Sequence, residues 1–384
     1  MNSYDISTRP EFTRRHFLWM SGAAAGAVVL GACGGDDDAA APADDAGDTS
    51  TSANEGGALP KSDLEVVRFD FNTPNKNAQA AYWVGISKGY FNEVGIDLQP
   101  SNITAIDDVL TAILSGDIDI ALVDAADMFA AEDASVLNGS PNGLRWVGCV
   151  FGQQPVVMVA REGVTADALH GLTIGGSHPG TANEALAKFM LEQMGYDWQS
   201  DVNFVNLTGG ANDWLTAMIS ENVDATIAFP QHIAIAEEAG GSAIYNTPRA
   251  FPQAGLAVLQ STLDKHPNFV AAWNHAYIRG HQFLRDQANW QEAREIVANE
   301  FGLDYPDSDF NAMDLSAVMM TADLGWNPDE MDDLLEFQQS FVGFRADMPW
   351  RDYVVLEPLH AAQAALGLSP NPTDLDDGIT TPNT

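Results

Sequence analysis

The sequence predicts an α/β fold with mostly parallel sheets and more than one core. Short apolar segments alternate with amphipathic helical segments from residue 64 to about 267, as in chains that build such sheets. Glycines stand where helical patterns end, as helix C-terminal caps do, at Gly89, Gly116, Gly139 and Gly195. About 300 residues is long for one hydrophobic core, so we expect two lobes.

The individual elements follow from local pattern. Eight segments rich in β-branched and apolar residues are predicted as strands: 65–71, 118–123, 144–150, 156–160, 172–175, 202–206, 225–229 and 256–260. Helical patterns lie between most of them, for instance at 78–88, 106–114, 183–194 and 213–220. From about residue 267 to 366 the pattern is almost wholly helical, and the polar segment 367–384 is predicted to be a disordered tail.

The first 32 residues carry the features of a lipoprotein signal peptide. Arg14 and Arg15 precede an uncharged, Ala/Gly-rich stretch over residues 19–32, too short to span a bilayer permanently. Paired arginines ahead of such a stretch indicate the twin-arginine (Tat) export route. The stretch ends in Leu-Gly-Ala-Cys, which resembles a bacterial lipobox and predicts lipidation of Cys33.

An acidic tether follows over residues 33–63. Leu59 is its one bulky apolar residue, so the segment cannot bury enough surface to offset the entropy of ordering it. A lipid at Cys33 and a flexible spacer predict a folded part outside the cytoplasm, anchored to the membrane on the periplasmic side or at the cell surface.

Charge and cysteine content exclude several functions. Without residues 1–32, 14 basic and 52 acidic side chains remain, a net charge of −38. This excludes binding to nucleic acid or to an anionic membrane through a basic surface; solubility, including adaptation to salt, is the simplest interpretation of the acidity. Because Cys33 is assigned to the lipid, Cys149 remains alone, which excludes a disulfide framework and a cysteine metal site. Its apolar surroundings predict a buried thiol.

An ordered set of motifs resembles one family of binding proteins. The segment FDFNTPNKNAQAAYWVGISKGYFNEVGIDLQP opens the folded part; SGDIDIALVDAADM, DALHGLTIGGSHPGTANEALAKFMLEQMGYD and GWNPDEMDDLLEFQQSFVGF follow. Together they resemble the nitrate/sulfonate/taurine/thiamine-pyrimidine-precursor family of ABC transporter substrate-binding proteins. The resemblance implies a type II periplasmic binding protein: two α/β lobes joined by two crossover strands, with a helical C-terminal region. Lobe I would be 64–152 and 249–366, and lobe II 153–248, with hinges near 152–155 and 247–252.

Ligands of open α/β lobes lie at the carboxyl ends of the strands, so four strand-to-helix junctions are the candidate binding loops. They are 73–77, 124–126, 176–181 and 229–231. Polar side chains in these loops and nearby aromatic rings give the predicted ligand-binding residues: Asn75, Asn77, Trp83, Asp124, Ala125, Ser177, His178, Gly180, Thr181, Trp214, Phe229 and Gln231. For each of them, helix capping or core packing is the competing interpretation.

The third loop bears on the charge of the ligand. Backbone amides at its helix start would suit an anion, but Glu184 stands at capping-box spacing from Thr181. We expect Glu184 to accept from those amides and to repel an anion. No arginine lies in the four loops. Asp124 and Gln231 could pair with amino groups, which favours a pyrimidine-like or amino-bearing heterocycle over a simple oxyanion. Ala78 stands where family members that bind thiamine precursors would have His.

Together these features predict a lipid-anchored, monomeric binding protein that delivers a small organic ligand to an ABC permease. It needs no catalytic residue, cofactor or metal. Two alternatives stay open: binding of a sulfonate, taurine or nitrate-type anion by the same fold, and a sensory lipoprotein not coupled to transport. The superfamily also includes an intracellular enzyme with a Cys-rich CCCFC motif; the lone Cys149 and the export signal disfavour that activity. HExxH, P-loop and G-x-S-x-G motifs are absent from the sequence.

Overall fold

The computed structural model describes residues 58–71, 80–101, 106–154, 156–246, 249–301, 320–345 and 347–373. The predicted signal peptide, Cys33, most of the tether, Asn75, Asn77 and residues 374–384 lie outside the described residues. The end of the predicted tether packs on the folded part: the Ser62 amide donates to the Val94 carbonyl at 2.8 Å, and an Asp63 carboxylate oxygen accepts from the Asn268 amide at 3.2 Å.

Ten strands form two five-stranded sheets. The strands are β1 Val66–Phe71, β2 Asp97–Ser101, β3 Ile120–Asp124, β4 Leu144–Gln154, β5 Val157–Ala160, β6 Thr173–Gly176, β7 Asn203–Asn206, β8 Ala225–Ala228, β9 Ser242–Asn246 and β10 Arg249–Leu259. The first sheet has the order β2-β1-β3-β10-β4 and the second β7-β6-β8-β5-β9. The predicted α/β fold with two sheets is confirmed.

The described helices cover these sheets. They are α1 Ala80–Ser87, α2 Tyr90–Glu93, α3 Ile106–Ser115, α4 Ala125–Leu137, α5 Ala182–Gln193, α6 Ala211–Ile219, α7 Ile233–Glu238, α8 Gln260–Lys265, α9 Phe269–Arg285, α10 Trp290–Phe301, α11 Pro328–Val342 and α12 Glu357–Ala365. Single 3₁₀ turns lie at Pro230–His232, Gln287–Asn289 and Trp350–Tyr353.

Both sheets are mixed: in each, four of the five strands run in one direction, in keeping with the predicted mostly parallel sheets, and one runs against them. In the first sheet β1 pairs in parallel with β2 and β3, but β10 pairs antiparallel with β3 and β4. In the second sheet β6 pairs in parallel with β7 and β8, whereas β5 is antiparallel to β8 and β9. The reason is the chain path: β4 leads directly into β5, which runs against the other strands of the second sheet, and β9 leads back into β10, which runs against those of the first.

The chain passes between the two sheets at the end of β4 and again at the start of β10. The chain leaves the first sheet at Gln154 and enters the second at Val157; it leaves the second at Asn246 and re-enters the first at Arg249. Two short passages side by side are the usual geometry of a hinge between lobes. The lobe and hinge boundaries given above remain predictions.

Aromatic rings dominate the core beside the first sheet. Phe69 of β1, Tyr82 of α1 and Trp273 of α9 are each within 6 Å of one another by ring centroids, and all three are buried. Cys149 is completely buried in β4, as predicted, and burial raises the pKa of its thiol well above the ordinary value. In the part of the chain that the structure describes, no helix is long and apolar enough to cross a membrane.

Close packing of α1 on α9 depends on Gly280. A Cβ atom at this position would overlap the carbonyl oxygen of Ala81, which is backbone and cannot rotate away. We therefore expect Gly280→Ala to lower the free energy of unfolding by about 1–3 kcal/mol, as overpacking does. Urea unfolding checks it, with Gln282→Ala on the exposed face of α9 as control. Equal midpoints for the two variants would contradict the packing argument.

The beginning of the predicted disordered tail is held in place. The Gln363 amide group donates to the Asn371 carbonyl at 3.0 Å and accepts from the Asn371 backbone amide at 3.0 Å. Asn371 in turn donates to the Asp323 carboxylate at 3.2 Å. Residues 367–373 therefore differ from the prediction, because the buried Gln363 of α12 holds Asn371 by two hydrogen bonds.

Candidate functional site

Asp124 ends β3 and precedes the first turn of α4, so it lies at the carboxyl edge of the first sheet. Its side chain is 7% exposed, and burial raises the pKa of its carboxyl to about 6. Gln253 of β10 donates from its amide to this carboxylate at 3.2 Å. The antiparallel register sets the pair side by side, because Ala254 lies opposite Asp124. A buried carboxylate held by a neutral donor is suited to bind an amino group.

The loop after β6 forms the corresponding edge of the second sheet. Ser177 is buried, His178 is partly buried, and Gly180 adopts a left-handed φ of +82° that lets the chain turn into α5. Thr181 caps α5, and its hydroxyl accepts from the Glu184 amide at 3.3 Å. The Thr181 amide itself is bonded to the His178 carbonyl at 3.3 Å.

Glu184, in the first turn of α5, holds this loop in place by hydrogen bonds. One carboxylate oxygen accepts from the Gly180 amide at 2.6 Å, and the other accepts from Asn206 at 3.0 Å and pairs with Lys188 at 3.0 Å. The expectation that Glu184 occupies loop amides holds for Gly180. The expected repulsion of an anion is weaker than the sequence suggested, because Lys188 offsets the charge of Glu184 from the same helix.

Helices α4 and α5 meet at their N-termini, although they follow strands of different sheets. Asp127, in the first turn of α4, accepts from the backbone amide of Ala182, the first residue of α5, at 3.3 Å. Lys188 of α5 also donates to the Phe341 carbonyl of α11 at 3.2 Å. The candidate loops 124–126 and 176–181 therefore lie close together.

The fourth candidate loop is stabilised by histidine. The Phe229 amide donates to Nδ1 of His232 at 3.2 Å, and burial lowers the pKa of His232 to about 4, so the ring is neutral at physiological pH. His232 therefore provides no positive charge for an anion. The Phe229 ring is partly buried, and Gln231 lies in the 3₁₀ turn between the two.

The remaining predicted residues have different surroundings. Ala125 is completely buried and contributes backbone only. Trp83 of α1 is partly buried against the core, and Trp214 of α6 is only 5% exposed. Trp214 thus has little surface for stacking in this conformation. Asn75 and Asn77 lie outside the described residues.

A separate cavity of about 570 Å³ lies beside β4, lined by Gly152, Asp323, Trp326, Glu330 and Asn371 among others. It contains none of the predicted ligand-binding residues. Among the described residues, no group of three or more His, Cys, Asp or Glu side chains is placed to hold a metal ion.

Sequence reasoning missed Gln253, Asp127 and Lys188. Gln253 lies in FPQAGL, which predicts a turn by its proline, and only the pairing of β10 with β3 places it beside Asp124. Asp127 is an acidic residue in a helix first turn, which predicts a dipole effect and no contact with another helix. Lys188 stands four residues after Glu184, and this spacing is the one signal that could have revealed the pair.

Comparisons with known proteins give a family and a fold. The sequence model of the NMT1/THI5-like family matches residues 76–289. No curated protein sequence matches the chain.

Solved structures share the fold at low sequence identity. The nitrate-binding protein NrtA from Synechocystis PCC 6803 superposes with a TM-score of 0.67 at 13% identity, covering 81% of this chain and 93% of its own. A sulfonate-binding protein SsuA from Methylobacillus flagellatus KT gives 0.59 at 16% identity, covering 84% and 98%. The desulfurization enzyme DSZB gives 0.56 at 13% identity, covering 78% and 99%. The fold therefore occurs in binding proteins and in at least one enzyme.

Proposed function

This chain belongs to the NMT1/THI5-like family, and on that premise we propose that it is a solute-binding protein of an ABC importer. Its two-sheet fold is shared with periplasmic nitrate- and sulfonate-binding proteins. The ligand would lie between the strand ends of the two sheets and favour closure by binding the closed form more tightly. The closed form would then dock on a membrane permease.

The ligand is an amino-bearing molecule, for which a pyrimidine-like heterocycle is the best candidate. The observation that carries this proposal is the buried Asp124 carboxylate, which accepts a hydrogen bond from the neutral side-chain amide of Gln253. An amino group would donate a charge-assisted hydrogen bond to this carboxylate. The amides of Gly180, Thr181 and Ala182, which an anion would use, already have acceptors.

An anion is the second candidate, favoured by one observation: the N-termini of α4 and α5 converge, and both carry positive dipole ends. Comparison with NrtA and SsuA points the same way. Catalysis is not part of the proposal.

A thermal-shift panel tests the ligand class on the tether-free protein. It comprises aminopyrimidines, flavins, taurine, alkanesulfonates, nitrate and bicarbonate. A ligand at 100 times its dissociation constant adds about 2.7 kcal/mol of stability. We expect a response to an aminopyrimidine or a related ring. A response to oxyanions alone would overturn the ligand class and leave the importer role. Silence across the panel would leave the fold standing and place the sensory alternative level with transport.

Membrane anchoring through Cys33 is a further part of the proposal, supported by the lipobox-like sequence. We expect Cys33→Ser to move the exported protein from the membrane fraction to the soluble extracytoplasmic fraction, because a diacylglyceryl group can no longer be attached. Fractionation and mass spectrometry of the mature N-terminus check it, with Ser52→Ala in the tether as control. Membrane retention of the Cys33 variant would contradict the anchor.

A further inference from the structure

The N-terminus of α5 carries a negative group that comes from another part of the fold. Asp127 belongs to α4, which follows β3 of the first sheet, whereas α5 follows β6 of the second. Its carboxylate accepts from the Ala182 amide at 3.3 Å, at the first residue of α5. A carboxylate at this position complements the positive end of the helix dipole, as a bound anion would.

The same carboxylate also lies at the start of its own helix. Asp127 is in the first turn of α4, so one negative charge serves the N-termini of two helices. Two converging helix N-termini attract an anion more strongly than one, because their positive ends add. The geometry is therefore that of an anion site whose anion is a side chain of the protein.

The neighbouring amides are also occupied from within the chain. Glu184 accepts from Gly180 at 2.6 Å, and the His178 carbonyl accepts from Thr181 at 3.3 Å. Asp124, three residues before Asp127, adds a second carboxylate at the start of α4. An external anion would find these amides already hydrogen-bonded within the chain and would be repelled by two carboxylates.

We propose that Asp127 is a specificity-determining residue that excludes anions from the cleft by taking the anion's place at the α5 N-terminus. The proposal rests on the proposed binding function and specifies its selectivity. It assigns the difference between this chain and an anion-binding protein of the same fold to one side chain. Removal of the Asp127 carboxylate should leave the Ala182 amide and two helix dipoles open to an external anion.

The test measures the response of Asp127→Ala and Asp127→Asn to sulfate and methanesulfonate. Thermal shift and calorimetry are run against sodium chloride at matched ionic strength, so that general screening cancels. We expect Asp127→Ala to bind sulfate or methanesulfonate at least tenfold more tightly than the wild type, with a smaller gain for the isosteric Asn variant. Asp329→Ala removes one exposed acidic residue from the first turn of α11 and serves as the matched control, with no gain expected.

A second variant tests the contribution of the neighbouring Asp124 carboxylate. Asp124→Asn combined with Asp127→Ala removes both carboxylates at the start of α4 and should bind the anions more tightly still. Folded Asp127 and double variants that bind sulfate and methanesulfonate no better than the wild type would overturn the inference, even if the wild type binds the amino-bearing ligand. Tight anion binding by the wild type would instead overturn the proposed ligand class together with this inference.

Discussion

Asp124→Asn is expected to stabilise the ligand-free protein at neutral pH and to abolish binding of the amino-bearing ligand. Burial raises the pKa of Asp124 to about 6, above the ordinary value of about 3.9 for aspartate. Ionising the carboxyl therefore costs folding free energy. The raised pKa corresponds to a loss of about 3 kcal/mol in the free energy of unfolding at a pH where the carboxyl is ionised in both the folded and the unfolded protein.

The pH dependence gives the sign of this effect. Below about pH 4 the carboxyl is protonated in the folded and the unfolded protein, and the penalty is absent. It grows as the pH rises from about 4 through 6 and is complete above about 7. The stability gain of Asp124→Asn should follow the same curve in urea titrations, with no gain at the acid end. A gain that is independent of pH, or a loss at neutral pH, would contradict the assignment.

The second large effect is expected for Glu184→Ala, which should lower the stability of the folded protein. Glu184→Ala leaves Lys188 buried without its ion-pair partner and removes the acceptor for Gly180 and Asn206. Breaking a buried pair on one side costs about 3–5 kcal/mol. The variant should unfold at a correspondingly lower urea concentration, and its loop 176–181 should lose hydrogen-exchange protection.

Two further variants make the Glu184 result specific. Glu192→Ala removes an exposed acid from the same helix and should change stability by no more than about 0.5 kcal/mol. Glu184→Gln keeps an acceptor for the Gly180 amide and should fall between the two. If Glu184→Ala were no less stable than Glu192→Ala, the buried pair would have no structural role.

The fold was largely predictable because its signals are local. Strands β3, β5 and β8 are short apolar runs, and α3 and α5 show helical periodicity with caps at the expected places. Strands β2 and β9 were missed, because DLQPS contains a proline and SAIYN is an exposed to partly buried strand without a continuous apolar run. Both are edge strands, where such sequences are tolerated.

The site was predictable only where it coincides with a strand end. Asp124 ends β3, and Ser177 and Thr181 lie between β6 and α5, so the topology rule selects them as candidates. Gln253 and Asp127 depend on contacts between segments far apart in the chain, which no local pattern encodes. Trp214 was selected as an aromatic ring near a candidate loop; tertiary packing buries it, and its contact with ligand stays a prediction.

The most direct test of the central claim is the pH dependence of ligand affinity in the wild type and in Asp124→Asn. It uses calorimetry with an aminopyrimidine-class ligand whose own groups do not titrate between about pH 5 and 8. If the ligand binds the ionised Asp124 carboxylate, affinity should fall about tenfold per pH unit below 6, level off above 7, and be lost in the variant. Equal affinity across this range, or undiminished binding by Asp124→Asn, would contradict the account.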